Sequence, residues 1–352
     1  MKIIRALALL CASVALSGCA VPFYWQAIGG QIELLRKRTP IEALIEDPAL
    51  DATLRSKLSS VAAMRRFAID ELKLPDNKSY TTYVALDRSY VVWNVVAAKE
   101  FSVDPERWCF PFAGCVAYRG FFSRDAAERF QARLEAEGLD TYSGGSAAYS
   151  TLGYFADPVL STMISGGEQY VASTLFHELA HQKLYIKGDS EFSEAFATVI
   201  EEYGTERWLM THGTAADLDR YLKRRRHGAD FGQLIAAQQA RLREVYARSE
   251  PDEAKRGDKR AAFDALRADY AELKARWGGS GEYDAWFARP LNNAALAAVA
   301  TYTRWVPALR SRLETRGLDA FYADAEALAE LTNEERAARL RSWAVEPVSA
   351  SR

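Results

Sequence analysis

Histidine is scarce here: the chain has four among 352 residues. With so few, any pairing of histidines at a chemically meaningful spacing stands out from composition. Cysteine is as rare, at four. Cys11 falls inside an N-terminal leader and Cys19 at its end, so only Cys109 and Cys115 are left for the body of the protein, too few for a structural zinc site, which takes four ligands. Strong charge of either sign is missing as well. The net charge of −2 gives no basis for nucleic-acid binding or a polybasic membrane footprint. After the leader no apolar run approaches the ~20 residues a membrane-crossing helix needs. Internal repeats, low-complexity tracts, a P-loop and a nucleotide-binding fingerprint are also lacking. What remains is a chain with about half its residues apolar, enough for a large core as one big domain or two.

Two of the four histidines stand in His177-Glu178-Leu179-Ala180-His181, an H-E-x-x-H motif. On a helix, residues four apart share a face, so both imidazoles point the same way one turn apart. Val171, Leu175, Leu179 and Ala180 supply the buried stripe of such a helix. Two neutral nitrogens at about 2.0–2.1 Å are half of a catalytic Zn²⁺ site, the remainder being a third protein ligand and a water. Glu178 is placed to take that water's proton as general base.

The third ligand is sought after the break Lys187-Gly188-Asp189-Ser190, where Asp189 or Ser190 can cap a second helix over Glu191–Leu209. If that helix returns antiparallel, Glu194 sits at a depth comparable to His181, with Glu191 and Glu201 as competitors near the same face. The motif followed by Phe192-Ser193-Glu194-Ala195-Phe196-Ala197-Thr198 resembles the bacterial putative aminopeptidases, zinc metallopeptidases of the Glu-zincin type. That resemblance implies Glu194 as the third ligand. The gap from second histidine to glutamate is shorter than in thermolysin-like enzymes, so the likeness to the wider group lies in ligand logic only. Tyr24–Leu35 (with Gln26, Gly30 and Gln31), Tyr149–Pro158 and Leu291–Ala308 resemble the same family.

Residues 1–18 read as a targeting segment: Lys2 and Arg5, an apolar run Ala6–Ala15, then Leu16-Ser17-Gly18-Cys19, a lipobox-like end. Cleavage before Cys19 would leave an acylated N-terminus, with Ala20 matching an outer-membrane sorting pattern. The alternative is an ordinary secretory signal. Removing 1–18 takes away two bases and no acid, leaving a net charge of −4. In the oxidising compartment this implies, Cys109 and Cys115, which bracket Phe110-Pro111-Phe112-Ala113-Gly114, are expected to form a small-loop disulfide.

Ile32–Arg38 and Leu54–Leu72 have helical apolar spacing, and the aromatic cluster Phe23-Tyr24-Trp25 is read as core rather than lipid-facing. Tyr80–Leu86 and Tyr90–Ala98, split by Asp87-Arg88-Ser89, suggest a hairpin; Val116–Phe122 suggests a third strand. A helix over Arg124–Glu137 is opened by Ser123 and closed by Gly138. The Gly/Ser/Ala-rich stretch Thr141–Leu152 is extended, offering either an edge to which a peptide could add or a strand packed under a helix. Beyond Thr205 the chain is helical and charge-laced, through Asp217–Ser249 and Asp252–Trp277 to a helix capped at Asn292-Asn293; residues after Val348 look disordered.

The fold expected is α+β and mainly helical, a small zincin-like β-sheet followed by a metal-binding helix pair and a helical C-terminal half. The divisions are 1–18 (lipoprotein signal), 19–79 (helical segment), 80–210 (catalytic core) and 211–348 (helical region). The function expected is a zinc peptidase, an aminopeptidase by resemblance, lipid-anchored at Cys19 in the envelope and facing the periplasm, acting on peptides. One zinc is held by His177, His181 and Glu194, with Glu178 as base. Tyr154 (Tyr149 almost as plausible) and Tyr302 are candidates to stabilise the oxyanion, and Arg304 to bind a substrate carboxylate. Thr198 is a candidate to orient a ligand, and Glu168, Glu191 or Asp157 to hold a substrate amine. His212, His227 and Arg224-Arg225-Arg226 are read as surface. A zinc endopeptidase and a metal-stabilised scaffold are the alternatives. The sequence leaves the oligomeric state open.

Overall fold

The structure, a computed structural model, describes residues 21–110 and 114–345. The leader, Cys19 and the segment after Val348 lie outside these residues. Helix α1 (Val21–Arg36) leads into strand β1 (Thr39–Pro40), α2 (Ile41–Glu46) and α3 (Ala52–Asp70). The strands follow: β2 (Thr82–Val84), β3 (Val92–Ala98), β4 (Trp108–Phe110), β5 (Gly114–Val116) and β6 (Arg119–Phe121). After α4 (Arg124–Ala136) come β7 (Asp140–Ser146) and β8 (Val159–Leu160). From there the described chain is helical: α5 (Glu168–Lys183), α6 (Ser190–His212), α7 (Ala215–Ala247), α8 (Asp252–Arg276), α9 (Asp284–Phe287), α10 (Asn293–Thr303), α11 (Val306–Arg316), α12 (Leu318–Ala329) and α13 (Asn333–Val345). The architecture is thus α+β and mainly helical, with its strands confined to the first half.

Local chemistry sets many of these boundaries. Ser123 Oγ accepts from the Ala126 amide to cap α4, Asn292 does the same for α10 through Ala295, and Thr214 and Asp217 form a reciprocal capping box on α7. Cys109 and Cys115 face each other across the β4–β5 pair and are joined by a disulfide.

The strands correct the sequence reading in two ways. Three small sheets form: β1-β2-β8, β6-β3-β7 and the β4-β5 pair. β2 and β3 fall in different sheets, so no hairpin joins them. Asp87-Arg88-Ser89 lacks the Gly or Asn that a tight primed turn demands; Arg88 instead reaches back to Glu33 on α1, and β2 takes β8 as a parallel partner. The expected strand over Val116–Phe122 is broken between β5 and β6, which pair with different neighbours.

The aromatic cluster is corrected too. Two residues apart on a helix is roughly half a turn, so the cluster splits. Phe23 packs on Phe110 and Phe121 with centroids 5.5 Å away, and the Arg119 guanidinium lies 3.9 Å over its ring. Trp25 is 76 % exposed.

The main core gathers residues from Leu34 to Trp343 around α5 and α6. Helix α6 is buried almost all round over Phe192–Ala197, as a central helix must be. Its start is fixed by Asp189, whose side chain accepts from the Phe192 amide at 3.0 Å and pairs with the buried Arg336 of α13. Arg336 also donates to the Leu328 and Leu331 carbonyls. Replacing Asp189 with alanine removes the cap and strands a buried guanidinium. Asp189→Ala is expected to cost about 3 kcal/mol, read as a lowered midpoint in denaturant unfolding.

Candidate metal centre and its cleft

Helices α5 and α6 pack along one another, joined by the turn 184–189. Gly188 takes φ +86° there, a conformation that favours glycine, and Ser193 Oγ accepts from the Ile186 amide at 3.0 Å. Close approach of α6 depends on Gly204: a Cβ there would fall 2.5 Å from Leu72 Cδ1 and 2.9 Å from Phe176 Cδ2. Val171, Leu175, Leu179 and Ala180 are buried as the periodicity requires.

This packing brings three donor atoms together. His177 Nε2 and His181 Nε2 are 3.1 Å apart. Glu194 Oε2 lies 3.3 Å from the first and 3.4 Å from the second. Ligands about 2.0–2.1 Å from a tetrahedral zinc stand about 3.3–3.4 Å from one another. The donor set therefore fits such an ion in both chemistry and spacing. Among the described residues it is the one group of three or more His, Cys, Asp or Glu side chains so disposed. Glu191 is withdrawn from the competition by its 2.8 Å pair with Arg304. Glu201 instead receives a hydrogen bond from His177 Nδ1 at 3.0 Å, the outer contact that fixes a ligating imidazole's tautomer and orientation. Thr198, suggested for such a role, lines a separate cavity.

The electrostatics are those of a site built for positive charge. Burial opposes charging His177, but its hydrogen bonds to Glu194 and Glu201 outweigh that and raise its pKa well above the usual imidazole range. Burial would also raise Glu194, yet the two histidines hold its carboxyl down at about 2. At Glu178 burial wins: its pKa is raised, and the nearby histidines only partly offset the effect. A half-buried carboxylate with raised proton affinity is what a general base near neutral pH requires.

A cleft of about 270 Å³ opens over the triad. His177, Glu178, His181 and Glu194 form its floor; α1 contributes Phe23 and Ala27, and the sheet contributes Val92, Asn94 and Ser146. Leu152, at φ +56°, belongs to its wall. Four phenols line it: Tyr118, Tyr149, Tyr185 and Tyr302. All four have raised pKa values. Burial pushes Tyr149 and Tyr185 to about 12, burial with the charge of Glu194 takes Tyr118 higher, and at Tyr302 the Glu194 charge is the largest influence. Each therefore stays a protonated hydrogen-bond donor at neutral pH.

Of the two tyrosines singled out from sequence, Tyr302 is on the cleft, while Tyr154 is 61 % exposed and lies outside its lining. Tyr149, weighed beside it, takes that place. Tyr185 and Tyr118 were missed. Tyr185 carried a signal, four residues past His181, with its ring 6.0 Å from that imidazole; Tyr118 carried none. The acidic candidates for an amine all face elsewhere: Glu168 lines another hollow, Glu191 is paired, and buried Asp157 accepts from Thr151, Ser150 and Gln182. Arg304 is held by Glu191 and is not part of the cleft lining. His212 stacks on Trp208, and His227, buried rather than at the surface, stacks on Trp277 beside Glu282.

Strand β7 is an edge of its sheet, but its outward carbonyls at Thr141 and Ser143 are taken by Asn292 and Arg289 at 2.7 and 2.6 Å. Helix α10 packs there. The reading of a strand held under a helix wins along that length.

A mainly helical α+β chain thus carries, at the floor of a cleft, a His-His-Glu triad that could hold a metal ion. The chain belongs to the putative aminopeptidase family, whose family model matches residues 22–340, and its function is peptidase-like. No curated protein and no solved structure matches it.

Two outcomes are expected. Glu201→Gln should weaken zinc binding about 10–100-fold while leaving the three ligands in place. Because His177 holds a proton in the metal-free site, binding must expel it. Affinity should then rise about tenfold per pH unit from acid toward neutral, flattening once pH passes the raised His177 pKa. Competition titration against a chelator at several pH values reads both.

Proposed function

We propose that this chain is a zinc-dependent peptidase, with His177, His181 and Glu194 as ligands and Glu178 as general base. The observation that carries the proposal is the coincidence of three donor atoms at mutual distances of 3.1–3.4 Å with a half-buried carboxylate of raised proton affinity in the same cleft. Zinc, when bound there, supplies Lewis acidity and lowers the pKa of its bound water to about 7. Glu178 accepts the proton of the attacking water and returns it to the leaving amine. Tyr302 and Tyr149, two of the four phenols that line the cleft and keep their protons, are the proposed oxyanion donors. The apolar and aromatic walls select uncharged side chains beside the scissile bond. The lipobox-like Leu16–Cys19 supports an envelope lipoprotein facing the periplasm.

The family description supports an aminopeptidase. One observation favours the endopeptidase reading: among the described residues, the only carboxylates lining the cleft are Glu178 and Glu194, so no third acid stands ready to clamp a free amino terminus.

The test compares metal content and hydrolysis of matched peptides with free and blocked amino termini. Glu178→Gln should keep zinc and lose about 10²–10⁴-fold in kcat; Glu194→Ala should lose most of the zinc. Cleavage of free termini alone assigns the aminopeptidase, and equal cleavage of blocked peptides the endopeptidase. Full zinc with no hydrolysis overturns the enzymatic reading and leaves a metal-stabilised scaffold.

A further inference from the structure

Helix α1 has two faces with different chemistry. Its inner face carries Phe23, Ala27, Gly30 and Leu34. Phe23 and Ala27 wall the cleft; Gly30 lies so close to the Phe122 ring that a Cβ would fall 2.2 Å from it; Leu34 is buried in the core. Gln26 adds a hydrogen bond from the Phe122 amide at 2.8 Å. The helix is thereby docked firmly on the sheet. Its outer face carries Tyr24, Trp25, Ile28 and Ile32, all exposed, with exposed Gly29 among them. That stripe contains no charge. Arg36, Lys37 and Arg38 follow at the far end of the helix.

We propose that this outer stripe lies in the surface of a phospholipid bilayer, and that α1 is an interfacial helix whose opposite face forms a wall of the cleft. An apolar stripe bearing Trp and Tyr, with bases at one end, suits the headgroup boundary. The chain's layout selects the bilayer over a protein partner. Tyr24 is five residues from Cys19, at most about 17 Å along even a fully extended chain. The stripe then runs about 12 Å along the helix from residue 24 to 32. If Cys19 is acylated, the stripe cannot be far from lipid. This part of the argument rests on the lipoprotein reading; the exposure and composition of the stripe do not. A lipid anchor at Cys19 would tether the chain without fixing its orientation; the stripe supplies an oriented second contact and holds the cleft beside the membrane.

The experiment uses the full mature chain with Cys19→Ser, so that no lipid is attached, floated with vesicles of phosphatidylethanolamine and phosphatidylglycerol. This protein should float with the vesicles. The triple variant Trp25→Ser, Ile28→Ser, Ile32→Ser should partition at least about tenfold less. Its melting temperature should match the parent's, since all three side chains are exposed. Equal flotation of parent and triple variant, or failure of the parent to float, overturns the proposal. Acylation is tested separately, by labelled fatty acid incorporation in cells against Cys19→Ser. Flotation without acylation upholds the stripe and removes the anchor; acylation with no effect of the triple variant removes the stripe and keeps the anchor.

Discussion

Two imidazole nitrogens and a carboxylate oxygen held within 3.4 Å of one another, largely buried at the base of a cleft, are the constraint on which the rest of the structure depends. Such groups are costly to bury unless charge is balanced. Protons do this in the metal-free site, with His177 held cationic between Glu194 and Glu201. A divalent ion held by the three donor atoms would do the same. The arrangement survives only because α5 and α6 cannot slide. Gly204 lets them approach, Asp189 fixes where α6 starts, and Arg336 ties that start to the last described helix. The helical C-terminal region is therefore part of what holds the donor atoms in place, although none of its residues is a donor.

The same burial sets the chemistry of the cleft. Burial raises the proton affinity of Glu178, Tyr149, Tyr185 and Tyr118, while at Tyr302 the charge of Glu194 is the larger influence. One carboxylate becomes a competent base, and the phenols remain donors. The absence of a third acid from the lining follows the same logic, because another unpaired carboxylate would raise the cost of burying the first two.

The helices and the triad were legible in the sequence because their signals are local. An H-E-x-x-H on an apolar stripe, an Asp-Ser cap and a Gly-containing break need only a few consecutive residues, and Ser123 and Asn292 announce their helices just as directly. Local pattern left Glu191 and Glu201 beside Glu194, and only the family resemblance favoured Glu194; the pairing of Glu191 with Arg304, 113 positions away, is a contact no local pattern contains. The strands failed for a related reason. A two- or three-residue strand such as β2 has no period to read, and its partner β8 lies some 75 residues on. Tyr118 reaches the cleft from the segment between β5 and β6, whose local pattern says nothing of a metal. The aromatic cluster at the start of α1 was misread by treating neighbours in sequence as neighbours in space; on a helix, Phe23 and Trp25 face opposite ways.

That last error bears on function. Had all three aromatics been buried, α1 would be ordinary core, and the cleft would have no relation to where the protein sits. With Phe23 turned inward and Trp25 outward, one short helix touches both the reaction chamber and the surroundings. Gly30 and Gln26 dock this helix on Phe122. What the docking of α1 gives is a fixed relation between the cleft and the outer stripe of the helix.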